Sequence, residues 1–322
     1  QSGVILIWPH EDTDWRPYLE KITEVYLQMA DAITRYEALL ITARDTEMVS
    51  SLLKERLTEE QMKRVTLFTC DNNDTWARDV APISLIANKA SKDSSQPLRL
   101  LDFCFNGWGE KFAAEKDNRI NRQLHEAGLL QGVLESHKDF VLEGGSIESD
   151  GERTLFTTTS CLMAPHRNQP LTQEDIDKQL RLFFPNVERV IWLDYGQLAG
   201  DDTDGHIDTI VRIAPNNTLL YIGCDDKEDE HYEDFRLLEE QLKQLRTQKG
   251  EPYRLLRLPM PDAIYDNDER LPATHANFLI INGAVLVPTY NQPEKDKEAL
   301  DTIQEAFTDR EIIGIDSRTI IR

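Results

Sequence analysis

The feature that most constrains the fold is an order of local patterns that recurs along the chain. Short apolar runs form a hairpin, an amphipathic stretch follows, and a further apolar run closes each unit. This alternation predicts an α/β fold throughout, not separate helical and strand regions. Three of the hairpin turns are marked by Asp150-Gly151, Pro215-Asn216-Asn217 and Asn282-Gly283, which are residue types that adopt tight turns.

Five units of this kind can be marked along the 322 residues. The first runs from Val4 to Ile41, the second opens at the strand-like run 65–68, and the other three contain the marked hairpins. Units that each leave one sheet face to bury are typical of a closed radial array, here a five-unit pseudo-symmetric α/β propeller with its chemistry on the axis. An ordinary mixed α/β domain is the alternative. We expect residues 1–322 to form a single catalytic domain.

Charge and composition restrict the partners. The chain has 58 acidic and 36 basic residues and a formal net charge of -22, which repels nucleic acid and anionic membranes and attracts a cationic substrate. The same charge can serve solubility alone. No apolar run approaches the roughly 20 residues that a membrane helix needs. The four cysteines are widely spaced, which predicts reduced, buried thiols in a cytoplasmic protein: Cys70, Cys104, Cys161 and Cys224.

A carboxylate followed by two glycines ends an apolar strand. Glu143 precedes Gly144 and Gly145, and glycines at such a place allow another group to approach the backbone closely. The neighbours Val141 and Leu142 favour burial, where an acid needs a partner. The alternative is an ordinary polar strand end.

His206 and Asp208 are one residue apart in a segment with a strand-like pattern. Alternation along a strand would place both side chains on one face, so an acid/base and an anion would share a site. The alternative is a core histidine beside an incidental aspartate. Just before them, Asp201, Asp202 and Asp204 form a group of like charges that repel one another unless a cation or a proton is present.

The segment Trp76-Ala77-Arg78-Asp79 places an aromatic ring, a guanidinium and a carboxylate before a predicted strand. An aromatic face can pack against a flat cation while a carboxylate pairs with it through two hydrogen bonds. The alternative is a local surface pair between Arg78 and Asp79.

Together these segments resemble the agmatine deiminase and bacterial peptidylarginine deiminase-like family of the guanidine-modifying pentein superfamily, in order along almost the whole chain. The resemblance implies the five-unit propeller and the hydrolysis of a guanidinium to a ureido group with loss of ammonia, without metal or organic cofactor. The matching segments are Ser2-Gly3-Val4, Trp8-Pro9-His10, Trp76-Ala77-Arg78-Asp79, Phe105-Asn106-Gly107-Trp108-Gly109, Glu143-Gly144-Gly145-Ser146-Ile147, Arg167-Asn168, Asp204-Gly205-His206-Ile207-Asp208 and Asn277-Phe278.

The resemblance also implies roles. Asp79 and Asp208 would hold the substrate guanidinium, since each carboxylate accepts a fork of N–H donors. His206 would be the acid/base, and Glu143 would orient it and stabilise its charge. The further substrate contacts would be Trp76, Arg78 and Asp202. At His275 the family often has an aromatic residue, and no role is predicted for this histidine.

A guanidinium is resonance-stabilised, so its charge must be fixed by anions while a strong nucleophile attacks the central carbon. In the family the nucleophile is a cysteine in a Gly-Gly-Gly-x-His-Cys-like segment, shortly after a strand that resembles residues 312–316. The sequence stops at Arg322 and begins at Gln1, which is not an initiator methionine. We therefore expect the nucleophilic cysteine beyond Arg322, and further residues before Gln1.

The leading hypothesis is a cytoplasmic agmatine deiminase that forms N-carbamoylputrescine for putrescine synthesis, as a homodimer. Peptidyl-arginine or free arginine are alternative substrates, and a dihydrolase or an amidinotransferase is an alternative reaction. A chain without the cysteine would be a non-catalytic guanidinium-binding protein. A hydrolase with a hard metal on Glu143, His206 and Asp208 is the last alternative.

Overall fold

A computed structural model describes residues 1–86 and 98–322. Within these ranges the strands form five three-stranded sheets and one two-stranded hairpin. The strands are β1 (Gly3–Ile7), β2 (Ala38–Ala43), β3 (Val65–Thr69), β4 (Ile83–Leu85), β5 (Arg99–Cys104), β6 (Val133–Val141), β7 (Ile147–Ser149), β8 (Thr154–Thr158), β9 (Arg189–Leu193), β10 (Val211–Ala214), β11 (Thr218–Gly223), β12 (Arg254–Pro259), β13 (Tyr265–Asp266), β14 (Glu269–Arg270), β15 (Leu279–Ile281), β16 (Ala284–Thr289) and β17 (Glu311–Asp316).

Helices connect the strands of each unit. They are α1 (Leu19–Thr34), α2 (Thr46–Arg56), α3 (Glu59–Met62), α4 (Ala77–Val80), α5 (Gly107–Glu110), α6 (Ile120–Glu126), α7 (Thr159–Leu162), α8 (Gln173–Phe183), α9 (Tyr232–Gln244) and α10 (Pro293–Ala306). Short 3-10 turns lie at Arg16–Tyr18, Asp117–Arg119, Gly144–Ser146 and Ile207–Thr209. Among the residues described, no helix combines the length and the apolar character needed to span a membrane.

Four of the five sheets share one topology, in which an antiparallel pair is followed by a parallel pair. The first sheet also follows chain order, β1-β2-β3, but differs from the others because both of its pairs are parallel. The prediction that the run 65–68 opens the second unit is therefore wrong. The helices α2 and α3 between β2 and β3 provide the crossover that parallel pairing requires, so this run completes the first sheet.

One of the turns predicted from the sequence is confirmed, at residues 215–217. Asn216 and Asn217 both have positive φ in the three-residue loop 215–217 between β10 and β11, a conformation that asparagine adopts more readily than most residues. Thr172 and Asp175 form the reciprocal capping box that begins α8.

Apolar clusters join each unit to the next. The first unit packs on the second through Ile7 and Phe105, and the second on the third through Leu101 and Leu155. One cluster then runs through the third, fourth and fifth units, and another joins the fifth unit back to the first; these contain Phe156, Ile222 and Val287, and Leu286 and Ile41, respectively. The last unit thus packs on the first, and the ring of five sheets is the α/β propeller predicted from the sequence.

Candidate active site

The predicted site residues lie in short turns beside the strands of three successive units. Asp79 lies in α4, which precedes β4. Glu143 follows β6 and precedes the 3-10 turn Gly144–Ser146. His206 and Asp208 lie at the 3-10 turn Ile207–Thr209, ahead of β10. The ring arrangement brings these turns together.

The strand predicted for His206 and Asp208 is wrong, because β10 begins only at Val211. Side-chain bonds to the backbone compete with strand pairing here. The hydroxyl of Thr203 accepts the backbone N–H of His206 at 2.9 Å, and that of Thr209 donates to the carbonyl of His206 at 2.7 Å. The two side chains still reach one place, through a 3-10 turn and not through strand alternation.

Three side chains converge on Gly145. A Cβ built on this glycine would lie 2.5 Å from Nδ1 of His206, 2.9 Å from Oδ1 of Asp79 and 3.0 Å from Oδ2 of Asp208. Real Cβ atoms do not approach other atoms this closely, so the site requires glycine at position 145. The close approach expected from the Gly-Gly pair is therefore present.

Asp79 is buried and its two oxygens are oriented by different donors. Oδ1 accepts the backbone N–H of Gly145 at 3.0 Å and lies 3.7 Å from Nδ1 of His206, while Oδ2 accepts Nε1–H of Trp108 at 3.1 Å. The alternative of a surface pair with Arg78 is excluded by this geometry, since Nε of Arg78 lies 3.5 Å from Oδ2 of Asp208 instead.

Two tryptophans stand beside Asp79. Trp76 packs between Trp15 and Trp108, at centroid distances of 6.0 and 6.1 Å. Trp108 was not predicted as a site residue, although it lies in a segment that resembles the family. Its φ of +53° is unusual for a residue with a Cβ, and such conformations cluster at functional sites. The glycines on both sides of Trp108 were the signal in the sequence.

Asp208 offers a buried acceptor. Burial raises the pKa of Asp208, and Arg78, His206 and Arg212 oppose that effect. Its Oδ1 is enclosed and has no hydrogen-bond partner within the described parts of the chain. Buried acceptors are normally satisfied, so a ligand with N–H donors fits this position.

Glu143 and Cys161 lie next to His206. Donor atoms of these three side chains are within 4.8 Å of one another, and all three residues are buried. Oε1 of Glu143 accepts Nε–H of Arg167 at 2.8 Å. Oε2 of Glu143 and Nε2 of His206 have no hydrogen-bond partner among the residues that the structure describes. Cys161 was predicted only to be a buried thiol, and nothing in its sequence context indicated this contact.

The charge state of His206 follows from these neighbours. Burial by itself would lower the pKa of His206, but Asp79, Cys161 and Glu143 raise it well above its ordinary value. Burial also raises the pKa of Cys161. A raised pKa of His206 favours the imidazolium, which is the charge state that a proton donor needs.

The structure does not bring Glu143, His206 and Asp208 together as the ligands of a hard metal ion, the alternative considered from the sequence. Over residues 1–86 and 98–322, the one group of donors close enough to hold a metal ion is Glu143, Cys161 and His206, and Asp208 is not part of it. A thiol in place of an oxygen donor does not suit a hard cation.

The acidic segment before His206 is balanced by cations of the chain itself. Nζ of Lys111 binds the carbonyl of Asp202 at 2.7 Å and Oδ1 of Asp204 at 2.6 Å. Asp201 accepts backbone and hydroxyl donors of the same turn. Asp202 is exposed and lies outside the three side chains that converge on Gly145. Burial of part of its surface raises the pKa of Asp202.

The similarity of the chain to solved structures extends over nearly its full length. A C. jejuni agmatine deiminase, solved as a cysteine-to-serine variant with substrate bound, is 36% identical with a TM-score of 0.89, covering 100% of this chain and 90% of its own. A Porphyromonas gingivalis protein assigned as an arginine deiminase is 47% identical with a TM-score of 0.91, covering 100% of this chain and 91% of its own.

The similarity to a curated relative also extends along nearly the whole chain. Agmatine deiminase of Pseudomonas aeruginosa is 30% identical over 98% of this chain and 88% of its own length. The profile of the Porphyromonas-type peptidyl-arginine deiminase family matches residues 1–322. The resemblance and the pentein fold predicted from the sequence are thus confirmed, and the chain belongs to the Porphyromonas-type peptidyl-arginine deiminase family.

Proposed function

We propose that this chain hydrolyses the guanidinium of agmatine to N-carbamoylputrescine and ammonia. The observation that carries the proposal is the convergence of Asp79, Asp208 and His206 on Gly145. The similarity to agmatine deiminases along the whole chain confirms the predicted class of enzyme, a hydrolase of guanidinium C–N bonds.

Two buried carboxylates fix the substrate's charge. Asp79 keeps its oxygens in place through Gly145 and Trp108, and Asp208 presents the enclosed Oδ1. A guanidinium placed between them donates N–H groups to both, in surroundings where the attraction is much stronger than in water. The central carbon is then held still for attack from one direction.

His206 moves the protons in both halves of the reaction. A thiolate adds to the guanidinium carbon, and the C–N bond breaks as the imidazolium gives its proton to the departing ammonia. The neutral imidazole then takes one proton from water as the water oxygen adds to the thiouronium carbon. The adduct expels the thiolate while its hydroxyl proton passes to the released ammonia, which leaves the ureido product. Glu143 stabilises the imidazolium and orients the ring, as a third group does in catalytic triads.

The nucleophile in this proposal is the cysteine of the Gly-Gly-Gly-x-His-Cys-like segment of the family, and not Cys161. Cys161 is fully enclosed and burial raises its pKa, so it has little thiolate character. Support comes from the C. jejuni relative, in which a cysteine-to-serine variant holds its substrate. Trp76, Arg78 and Asp202 are proposed as further substrate contacts, and we also propose a cytoplasmic homodimer that binds neither nucleic acid nor membranes.

Free arginine is the second candidate substrate, because the Porphyromonas gingivalis relative is assigned as an arginine deiminase. Arginine carries a carboxylate that agmatine lacks, and this anion needs a cation in the site or it is repelled by the surrounding acids. Ammonia release from agmatine, free arginine and a peptidyl-arginine, each with and without iodoacetamide, separates the candidates.

We expect the full-length protein to turn over agmatine alone and to lose that activity on alkylation. Turnover of arginine in place of agmatine would show that arginine is the substrate, and the proposed reaction at the guanidinium would stay the same. Silence on all three substrates would leave the guanidinium-binding protein as the correct interpretation.

A further inference from the structure

The segment Arg167-Asn168 resembles the family but has no part in the chemistry described above. The side chain of Arg167 is completely enclosed, and each of its three nitrogens has its own partner. Nε donates to Oε1 of Glu143 at 2.8 Å, one terminal nitrogen to Oδ2 of Asp204 at 2.8 Å, and the other to the carbonyl of Thr203 at 2.7 Å. A planar guanidinium can hold three such partners at once, whereas an ammonium on a flexible chain cannot reach them together.

These partners belong to the two turns that carry Glu143 and His206. The hydroxyl of Thr203 accepts the backbone N–H of His206 at 2.9 Å, so Arg167 holds the turn from which the imidazole projects. Asp204 in this turn has a φ of +63°, a conformation that needs support in a residue with a Cβ. Arg167 therefore connects the segment that follows β6, the last strand of the second unit, to the histidine turn of the fourth unit.

Asn168 fixes the same strand end through the backbone. Its Nδ2–H donates to the carbonyl of Val141 at 2.8 Å, and its Oδ1 accepts the N–H of Val141 at 2.9 Å. Val141 is the last residue of β6, two residues before Glu143. The segment Arg167-Asn168 thus holds both the backbone at the end of β6 and the carboxylate of Glu143.

We propose that Arg167 is a positioning residue that sets the place of Glu143 relative to His206, and so controls how well His206 donates and accepts protons. This inference rests on the proposed function for its kinetic consequence. Arg167 has no described contact with Asp79 or Asp208, so it acts on the proton transfers and not on capture of the guanidinium.

The charge on His206 should depend on Arg167. Asp79, Asp208, Glu143 and Cys161 face the imidazole. Without Arg167, neither oxygen of the enclosed Glu143 would have a hydrogen-bond partner among the described residues, so nothing would hold this carboxylate beside the imidazole. A displaced Glu143 contributes less to the raised pKa of His206, so we expect this pKa to fall.

The test compares Arg167→Met and Arg167→Lys in the full-length protein. The control is Arg310→Lys in the fifth unit, because Arg310 is partly buried, donates to the carbonyl of Ile281 and packs on Phe307, away from the site. The measurements are kcat and KM for agmatine, the thermal midpoint, and the pKa of His206 from histidine NMR signals.

We expect Arg167→Met to lower kcat about 100-fold with KM changed by less than about threefold, since misplacement of a catalytic group acts on the chemical step. The pKa of His206 should fall in this variant, Arg167→Lys should retain an intermediate kcat, and Arg310→Lys should match the wild type. A folded Arg167→Met protein with wild-type kcat and an unchanged pKa of His206 would overturn the proposal.

If Arg167→Met does not fold, Arg167→Lys decides, and a wild-type kcat in that variant would equally overturn the proposal. Failure of the proposed function looks different. In that case the wild type itself releases no ammonia from agmatine, while the NMR comparison of His206 in the two proteins still tests the role of Arg167.

Discussion

His206 and His275 are two of the four buried histidines in the described residues, and their surroundings differ in charge. His206 is 2% exposed and His275 is 0% exposed. Carboxylates around His206 raise its pKa well above the ordinary value, in spite of burial. Burial lowers the pKa of His275 to about 4, and its ring stacks on Tyr290 at a centroid distance of 5.4 Å.

Distance to a carboxylate does not explain the difference. Nε2 of His275 lies 3.4 Å from Oδ1 of Asp296, which is closer than the 3.7 Å between His206 and Asp79. Asp296, however, already accepts the N–H groups of Tyr290 and Gln292 at the start of α10. One carboxylate that already accepts other hydrogen bonds does not offset the effect of burial on the pKa of His275. Several acidic groups around the ring of His206 do offset it. Burial alone does not produce a proton donor.

The largest effect expected from this comparison is on turnover. His206→Ala should lower kcat for agmatine by about 1,000-fold or more, because general acid–base catalysis is lost. His275→Phe is the matched control, since the family often has an aromatic residue there, and it should stay within a few-fold of the wild type. Ammonia release measures both. Equal losses in the two variants would remove the distinction between the histidines.

A smaller but specific effect is expected from Asp79→Asn. The substitution removes the carboxylate that contributes most to raising the pKa of His206, so this pKa should fall. The alkaline limb of the kcat/KM profile should move to lower pH, and kcat/KM should fall by about 100-fold through weaker guanidinium binding. An alkaline limb at the same pH as in the wild type would show that His206 does not depend on Asp79.

The two histidines should make the free energy of unfolding depend on pH in opposite ways, one losing its contribution at low pH and the other at high pH. The folded pKa of His275 is lowered, so its contribution is complete above the unfolded value of about 6.5 and is lost as pH falls towards 4, by about 3 kcal/mol. The folded pKa of His206 is raised, so its contribution is complete below about 6.5 and is lost as pH rises through the folded value.

Denaturant unfolding at several pH values checks this expectation. The free energy of unfolding of His275→Phe should change less with pH than that of the wild type between pH 6.5 and 4. That of His206→Ala should change less than that of the wild type on the alkaline side. Parallel stability curves for all three proteins would contradict both assignments.

The smallest effect expected is from Cys161→Ser. A hydroxyl of similar shape keeps a polar atom beside His206, and the buried thiol is not the nucleophile of the proposed reaction. We expect kcat to fall less than roughly tenfold, a change of about 1.4 kcal/mol in the barrier. Iodoacetamide should still inactivate the variant. Resistance to alkylation after this single change would identify Cys161 as the reacting thiol.

The sequence predicted well where structure depends on short-range patterns. The turn at Asn216-Asn217 follows from the local conformations that asparagine favours, and the five-unit plan follows from hydrophobic periodicity. The run 65–68 was placed in the wrong unit because a parallel partner is chosen by helices elsewhere in the chain.

The site was less predictable, because its contacts join distant segments. Asp79, Glu143 and His206 carried local signals, and the resemblance assigned them to one site. Cys161 carried no such signal, since its contact with His206 is made only when two units pack together. The strand assigned to His206 was wrong because hydroxyl bonds to its backbone prevent strand pairing.

The most direct test of the central claim is the protonation state of the two histidines by nitrogen-15 NMR at pH 7.5, with His206→Ala and His275→Phe used to assign the signals. We predict that His206 has protons on both ring nitrogens and that His275 is neutral. A neutral imidazole at His206 would contradict the claim, because this residue would then have no proton to give to the departing ammonia.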